Sequence, residues 1–297
     1  MANLKDLKNR IDSVKSTRKI TSAMKMVAAS KLRKAQTRAE ASRPYAARMQ
    51  RMLATLAQNA DPETAPLLLT GRKGVSNTHL LIVATADRGL CGGFNSTIVR
   101  AVRKEVDKYE AQGKKVRILT IGRKGREQLK AGSARRFDMP DHVDTTKLRV
   151  IEYSVADTAT DKILSLFHEE KIDSCSIVFN RFLSAISQKV TFQPLIPLDI
   201  STLGTEEPAS ASQAVYEYEP SEEAILNDLL PRNIAVQIYG ALLENAASEQ
   251  GARMTAMDNA TRNAGEMIGK LTLQYNRTRQ AAITTELTEI ISGAEAL

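Results

Sequence analysis

The chain contains no tryptophan, and in residues 1–59 Tyr45 is the only aromatic side chain. Proteins that hold single-stranded nucleic acid stack its bases on aromatic rings, and no such platform exists here. Cysteine is almost as scarce. Cys91 and Cys175 stand alone without metal-ligand spacing, and a reducing cytosol is the simplest setting for them. The three histidines, His79, His142 and His168, have no cysteine or carboxylate at ligand spacing and read as core or surface residues rather than catalytic ones. The longest apolar run, Leu80 to Ala86, is far short of the roughly 20 residues that span a bilayer, and no basic n-region precedes an apolar h-region. The expectation is a cytosolic chain, or one held at a membrane only through partners. No catalytic residue, cofactor site or metal site is expected.

Periodicity is what the chain has in abundance. Alternating steps of four and three from Leu243 give Leu243, Ala247, Gln250, Met254, Met257, Thr261, Ala264, Ile268, Leu271, Tyr275, Thr278 and Ala282, nine of the twelve apolar, which is a coiled-coil seam. After Ala282 the apolar positions shift to Ile283, Leu287, Ile290 and Ile291, so either the seam's partner ends there or the helix meets a different surface. The same spacing from the other terminus gives Leu4, Leu7, Ile11, Val14, Arg18, Thr21, Lys25, Ala28, Leu32, Ala35, Ala39, Ser42, Ala46, Met49, Leu53 and Leu56, twelve of sixteen apolar. Two long helices, one at each terminus, are predicted to wind together as a coiled coil. At about 1.5 Å per residue, residues 3–57 run roughly 80 Å, against a radius of gyration of about 19 Å for a compact chain of this length, so an elongated molecule is expected.

Charge follows the same division. Residues 1–59 carry fourteen Lys or Arg against Asp6, Asp12 and Glu40, whereas residues 221–297 carry six basic and ten acidic side chains, so the two helices attract one another. The first keeps positive charge to spare in Lys31, Arg33, Lys34 and Arg38. A solvated face is the plain reading of that cluster; an acidic protein or a nucleic acid is the alternative. Beside the first seam Ile20, Met24 and Val27 form a second apolar row, which either widens the buried stripe, the commoner case, or touches an external surface. Heptad phase continues across Pro44, which predicts a kink rather than an end, and Pro231 is expected to kink or divide the last helix.

Between the helices the texture changes. Residues 1–60 read as the first coiled-coil helix, 61–76 as a linker, 77–205 as a small Rossmann-like α/β domain, 206–220 as a return segment and 221–297 as the second coiled-coil helix, with Ser221 as its N-cap. Strands are predicted at His79–Ala86, Val116–Ile121 and Ser174–Asn180, with Phe182–Gln193 pairing as a further one and helices up to about Gln112, at Lys124–Lys130 and at Thr158–Lys171. Leu203–Tyr218 reads as polar and irregular. The loop Gly89–Gly93 follows a strand and precedes a helix, where phosphates bind, yet it fits neither dinucleotide nor P-loop spacing. A structural turn is the favoured reading, with a nucleotide site or an exposed contact surface as alternatives.

Three stretches carry a resemblance: Arg18-Lys-Ile-Thr-Ser-Ala-Met-Lys-Met-Val-Ala-Ala-Ser-Lys-Leu-Arg-Lys34 with Ser42-Arg-Pro-Tyr45; Asp87-Arg-Gly-Leu-Cys-Gly-Gly-Phe-Asn95; and Tyr275 to Ala294, with its Ile-Thr-x-Glu-x-x-Glu-x-x-x-Gly-Ala core from Ile283. In these the chain resembles the gamma subunits of F-type ATP synthases. The resemblance implies that the two terminal helices form a long antiparallel coiled coil, an asymmetric central rotor stalk inside a ring of three alpha and three beta subunits, with the α/β domain against the epsilon subunit and the membrane-embedded c-ring. It implies that ATP is made on beta and not on this chain, and that the chain sits peripherally on the cytoplasmic side of a bacterial inner membrane. The family's chloroplast insertion with its cysteine pair is not visible, so thiol control through Cys91 or Cys175 is not expected. By resemblance, Met24, Lys25, Lys31, Arg33 and Lys34 lie where acidic loops of beta approach. Arg253, Arg279, Gln280 and Thr284 match a polar group that touches ring loops higher up, and Glu286 and Glu289 continue it. Ile283, Leu287 and Ile290 belong to an apolar tip turning in a bearing. The competing class is a stand-alone basic coiled-coil protein that binds nucleic acid or scaffolds another complex.

Overall fold

The computed structural model of the chain describes residues 4–59, 66–72, 77–131, 137–146, 148, 150–198 and 222–295. The return segment 206–220, the polar stretch 203–218 and the N-cap at Ser221 lie outside these residues, and of the linker only 66–72 is described. In chain order the elements are α1 (Leu4–Asn59), α2 (Leu67–Thr70), β1 (Thr78–Ala84), α3 (Phe94–Ala111), β2 (Lys115–Ile121), α4 (Arg123–Lys130), β3 (Asp138–Val143), α5 (Tyr153–His168), β4 (Ser174–Phe182), β5 (Gln188–Ile196) and α6 (Glu222–Glu295). No helix among the described residues is long and apolar enough to cross a membrane.

Both seams are where the spacing put them. Every seam position of α1 except Arg18 is at least half-withdrawn from solvent, with Leu7, Ile11, Ala28, Leu32, Ala39, Met49, Leu53 and Leu56 buried. All twelve seam positions of α6 are likewise withdrawn. Helix α1 runs on through Pro44, and α6 runs undivided through Pro231. A proline inside a helix costs about 3 kcal/mol in a lost hydrogen bond and a ring clash. Leu226, Leu230 and Ile234 are each about 2% exposed or less around Pro231, and a fully buried leucine or isoleucine contributes about 1.5–3 kcal/mol, so their burial offsets that cost.

The chain divides into two compact units, one of Met1–Ala29 with Arg253–Leu297 and one of Ser30–Ala252. In the first, Lys25 Nζ lies 2.6 Å from Asp258 Oδ1 and Thr261 Oγ1 donates to Thr21 Oγ1 at 2.8 Å. Numbers rise on α1 as they fall on α6, so the pair is antiparallel. In the second unit Met49, Leu53 and Leu56 pack with Leu226, Leu230, Val236, Leu69 and Leu198.

The second unit also holds a five-stranded sheet in the order β3-β2-β1-β4-β5. The first four strands are parallel and β5 runs antiparallel to β4, so the sheet is mixed. Alternate residues of a strand face opposite sides, and β1 is buried throughout because both its faces are covered. Leu80, Ile82 and Ala84 pack with α5 residues Ala156, Ile163 and Phe167 and α6 residues Ile234, Ile238 and Leu242. Leu81 and Val83 pack on the other side with Ile98, Val99 and Val102 of α3 and Leu129 of α4.

Four elements differ from expectation: α2 lies within the segment read as a linker, β5 runs Gln188–Ile196 while Phe182 closes β4, and β3 and α5 depart as well. β3 was not among the predicted strands, because Asp138, Pro140 and Asp141 do not read as strand; it is an edge strand with an irregular register against β2, where a proline leaves no ladder bond unmade. Helix α5 starts at Tyr153 rather than Thr158 and ends at His168 rather than Lys171.

The seam sets the mutational contrast. Leu53→Ala, at a position 0% exposed, should lower stability by about 2–5 kcal/mol, whereas Leu273→Ala, off the seam and 73% exposed, should change it by under about 0.5 kcal/mol. Urea unfolding of the two purified variants measures both, and equal losses would place the packed stripe elsewhere.

Candidate functional site

At the C-terminal edge of the sheet the order reverses between β2 and β4 on either side of β1, the position where open α/β sheets take ligands. Here the loop after β1 is tied to its own surroundings. The Ala86 amide donates to Asn95 Oδ1 at 3.0 Å, and Asn95 Nδ2 donates to Cys91 Sγ at 3.4 Å. Asp87 accepts from the Arg123 amide at 2.9 Å and from Thr145 Oγ1 at 2.7 Å, so both its oxygens are engaged. The next strand end presses against it: a Cβ on Gly122, whose φ is +94°, would lie 2.2 Å from the Thr85 carbonyl oxygen. These bonds make Asp87–Asn95 a structural turn. Leu90, at φ +64° and 64% exposed, is an apolar side chain turned outward, so the turn also presents an apolar contact point.

The histidines and cysteines have structural places. His79 is buried between two hydroxyls, with Nδ1 2.7 Å from Ser174 Oγ and Nε2 2.7 Å from Ser176 Oγ, and it stacks on Tyr109. His142 packs beside Thr120, and burial pulls its pKa below the ordinary value. His168 stands edge-on to Phe167. Cys91 and Cys175 are buried, and burial pushes the Cys175 thiol far above its usual range, away from the reactive thiolate. Among the described residues no group of three His, Cys, Asp or Glu is placed to hold a metal ion.

What the chain presents outward is its helices. On α1, Lys31, Arg33 and Lys34 are exposed, and Met24 and Lys25 are half-buried. Lys25 directs its charge to α6: its pairing with Asp258 holds that carboxyl below its usual range, chiefly through the hydrogen bond. Lys25 is thus an interhelical link as well as a candidate contact. Ile20 and Val27 are 60% and 55% exposed, so this row faces outward instead of widening the buried stripe, and Met26 joins it at 66%. The seam residues Thr21 and Ala28 beside this row are buried, so Ile20, Met26 and Val27 lie off the packed stripe.

On α6, Arg253 is half-buried, whereas Arg279, Gln280, Ile283, Thr284, Glu286, Leu287, Glu289 and Ile290 are all exposed. The Thr21–Thr261 and Lys25–Asp258 pairs fix a register that, extended, brings Thr278 level with Leu4 at the start of α1. The apolar shift after Ala282 therefore lies beyond the described part of α1. Beyond it Ile283, Leu287, Ile290 and Ile291 are between 48% and 68% exposed. The threonine hydroxyls there turn inward: Thr284 Oγ1 donates to the Gln280 carbonyl, Thr285 to Ala281 and Thr288 to Thr284. Their methyl groups stay on the surface, so the tip is more apolar than its sequence suggests.

Sequence reasoning missed Asp258 and the Thr21–Thr261 contact. The signal for Asp258 was available, since it flanks the seam residue Met257 as charged residues flank a coiled-coil seam.

The whole chain has recognisable relatives. The family model described as ATP synthase matches residues 3–297. The ATP synthase gamma chain of Dinoroseobacter shibae is 58% identical over 299 residues, with all of both chains covered. Among solved structures, the central stalk and c-ring assembly of the Tetrahymena thermophila mitochondrial ATP synthase contains a chain that aligns with a TM-score of 0.58 and 28% identity, covering 81% of this chain and 99% of that one. A chain of the Euglena gracilis mitochondrial ATP synthase rotor aligns with a TM-score of 0.64 and 18% identity over 94% of this chain and 98% of that one, a likeness of fold.

His79 gives this region a measurable pH signature. Its pKa is lowered from 6.5 to about 4, mainly by burial and further by Lys114. Below 6.5 the unfolded chain takes up a proton that the folded chain refuses, so stability falls as pH drops toward 4, by about 3 kcal/mol for the full shift. Replacing His79 with Gln should flatten that part of the profile in urea unfolding between those two pH values. An unchanged slope would mean that His79 is charged in the folded protein.

Proposed function

The chain belongs to the gamma-chain family of ATP synthases, a rotary central-stalk subunit, and from that membership we propose how its surfaces are used. The shaft of residues 1–60 and 221–297 turns inside a ring of three alpha and three beta subunits. The body of residues 77–205 faces the epsilon subunit and the c-ring. The chain itself is non-catalytic, needs no cofactor and binds no nucleic acid; ATP forms on beta. It is held peripherally at the cytoplasmic face of a bacterial inner membrane through the c-ring.

The observation that supports this most directly is the end of α6, a lone helix whose apolar side chains Ile283, Leu287 and Ile290 face outward past the end of α1. A surface of this kind suits a bearing, because dispersion contacts lack the directional preference of hydrogen bonds, and the inward-turned hydroxyls of Thr285 and Thr288 remove directional donors from it. Arg253, Arg279, Gln280 and Thr284, continued by Glu286 and Glu289, form the polar contact to ring loops. Lys31, Arg33 and Lys34, with Met24 and Lys25, face acidic loops of beta.

The energetics require such a shaft. Each proton crossing the membrane delivers about 2.3 kcal/mol per 100 mV, so several crossings are summed mechanically for one ATP. A long buried seam limits how much of that work bending dissipates. An asymmetric shaft offers each beta subunit a different face and shifts its conformational population by differential contact.

Extraction in mild detergent tests the assembly: alpha, beta and this chain should copurify at three to three to one, and a chain recovered free of both would remove the reading. Within the assembled complex, Arg279→Ala with Gln280→Ala should lower ATP turnover by about fivefold, equivalent to roughly 1 kcal/mol, with little effect on assembly. Unaltered hydrolysis and synthesis would refute the contact assigned to these two residues.

A further inference from the structure

The ladder between β1 and β4 ends at Val83 and Val178. Beyond it β4 continues to Phe182, paired with β5 on its other side through Asn180 with Val190 and Phe182 with Gln188. The main-chain groups that β1 would have satisfied are taken over by α6. The Asn180 amide donates to Asn245 Oδ1 at 3.1 Å, and Ser248 Oγ donates to the Asn180 carbonyl at 2.7 Å. The Phe182 amide, two residues on and facing the same way, donates to Glu244 Oε2 at 3.1 Å. One face of a helix thus completes the edge of a strand.

The same carboxylate reaches further. Glu244 Oε1 accepts from Arg43 of α1 at 3.1 Å, so one side chain joins both long helices to the sheet. Asn180, Asn245 and Ser248 are each 5% exposed or less, and a buried main-chain group that loses its partner is expensive. Backbone approach is close as well: a Cβ on Gly251 would lie 3.3 Å from both the Ala185 carbonyl oxygen and the Phe182 ring, so the helix and the β4–β5 turn are in near contact.

We propose that Glu244, Asn245 and Ser248 form the joint through which turning force passes between the sheet and the shaft. This rests on the rotary reading above. Apolar contacts alone let a helix slide or roll over a sheet, because they have no preferred direction; bonds to three specific main-chain atoms on one strand fix both position and rotation. They are positioning residues, with no contact to nucleotide required. From this joint α6 runs uninterrupted to Glu295.

The test uses the complete ATP synthase reconstituted in vesicles, with Ser248→Ala, Asn245→Leu, Asn245→Asp or Glu244→Gln in this chain. ATP hydrolysis, proton pumping and the amount of assembled complex are measured on the same preparations. Ser248→Ala and Asn245→Leu should hydrolyse ATP yet pump about twofold fewer protons per ATP, within the range that mutations along a coupling route produce. Asn245→Asp keeps an acceptor for Asn180 and should retain more pumping than Asn245→Leu. A wild-type pumping ratio in assembled Ser248→Ala and Asn245→Leu complexes, or the reverse order of the two Asn245 variants, overturns the joint. Should the first two variants fail to assemble, Glu244→Gln decides by the same ratio: it leaves an acceptor for Phe182 but no charge for Arg43, and normal coupling there overturns the proposal. A wild-type chain that neither assembles with alpha and beta nor supports pumping would instead sink the rotary reading beneath it.

Discussion

Burial of an apolar stripe between two helices from opposite ends of the chain is the constraint on which the other features depend. Neither stripe can be satisfied within its own helix, so each terminus needs the other, and the α/β sheet between them in sequence has to be threaded from one to the other. Antiparallel pairing follows from the Thr21–Thr261 and Lys25–Asp258 contacts and is reinforced by the opposite charge balance of the two segments. With the stripes used against each other, the remaining side chains of both helices are free to serve other surfaces, which is why Ile20, Val27 and Ile290 can be apolar and exposed without being misplaced.

The sheet contributes a second constraint. Parallel strands require covered faces, and α6 covers one of them with Ile234, Ile238 and Leu242 while α5 supplies the rest. Between Asn233 and Ser248 this helix is enclosed almost all round, meeting α1, the sheet and the β4 edge, and its composition there is correspondingly less amphipathic than that of an ordinary surface helix. Polar residues survive in it at Glu244, Asn245 and Ser248 because each meets a main-chain partner on β4.

Much of this was legible in the sequence, and the misses have physical causes. A spacing of four and three sustained over many turns is hard to produce by chance, so both seams and the break after Ala282 were readable residue by residue. Continuous β-branched runs betrayed β1, β2 and β4. β3 stayed hidden because an edge strand does not need a hydrophobic run and tolerates Pro140. The outward row at Ile20 and Val27 was left open because periodicity tells which residues share a face, not how wide a partner covers it. Lys25 looked like surplus charge until Asp258, more than two hundred residues away, was seen beside it. The grip of α6 on β4 gave no local signal, since it joins side chains to backbone atoms that every residue possesses.

Past Ala282 every side chain of α6 from Ile283 to Ser292 is exposed. The costly first turn of a helix is already formed lower down, so these turns need only propagate, but threonine and isoleucine propagate a helix less well than alanine or leucine. Their helicity in water is therefore near balance, with little held in reserve. Any surface that enclosed them would also template them, and the ordering of the last turns and their enclosure would then be thermodynamically one event.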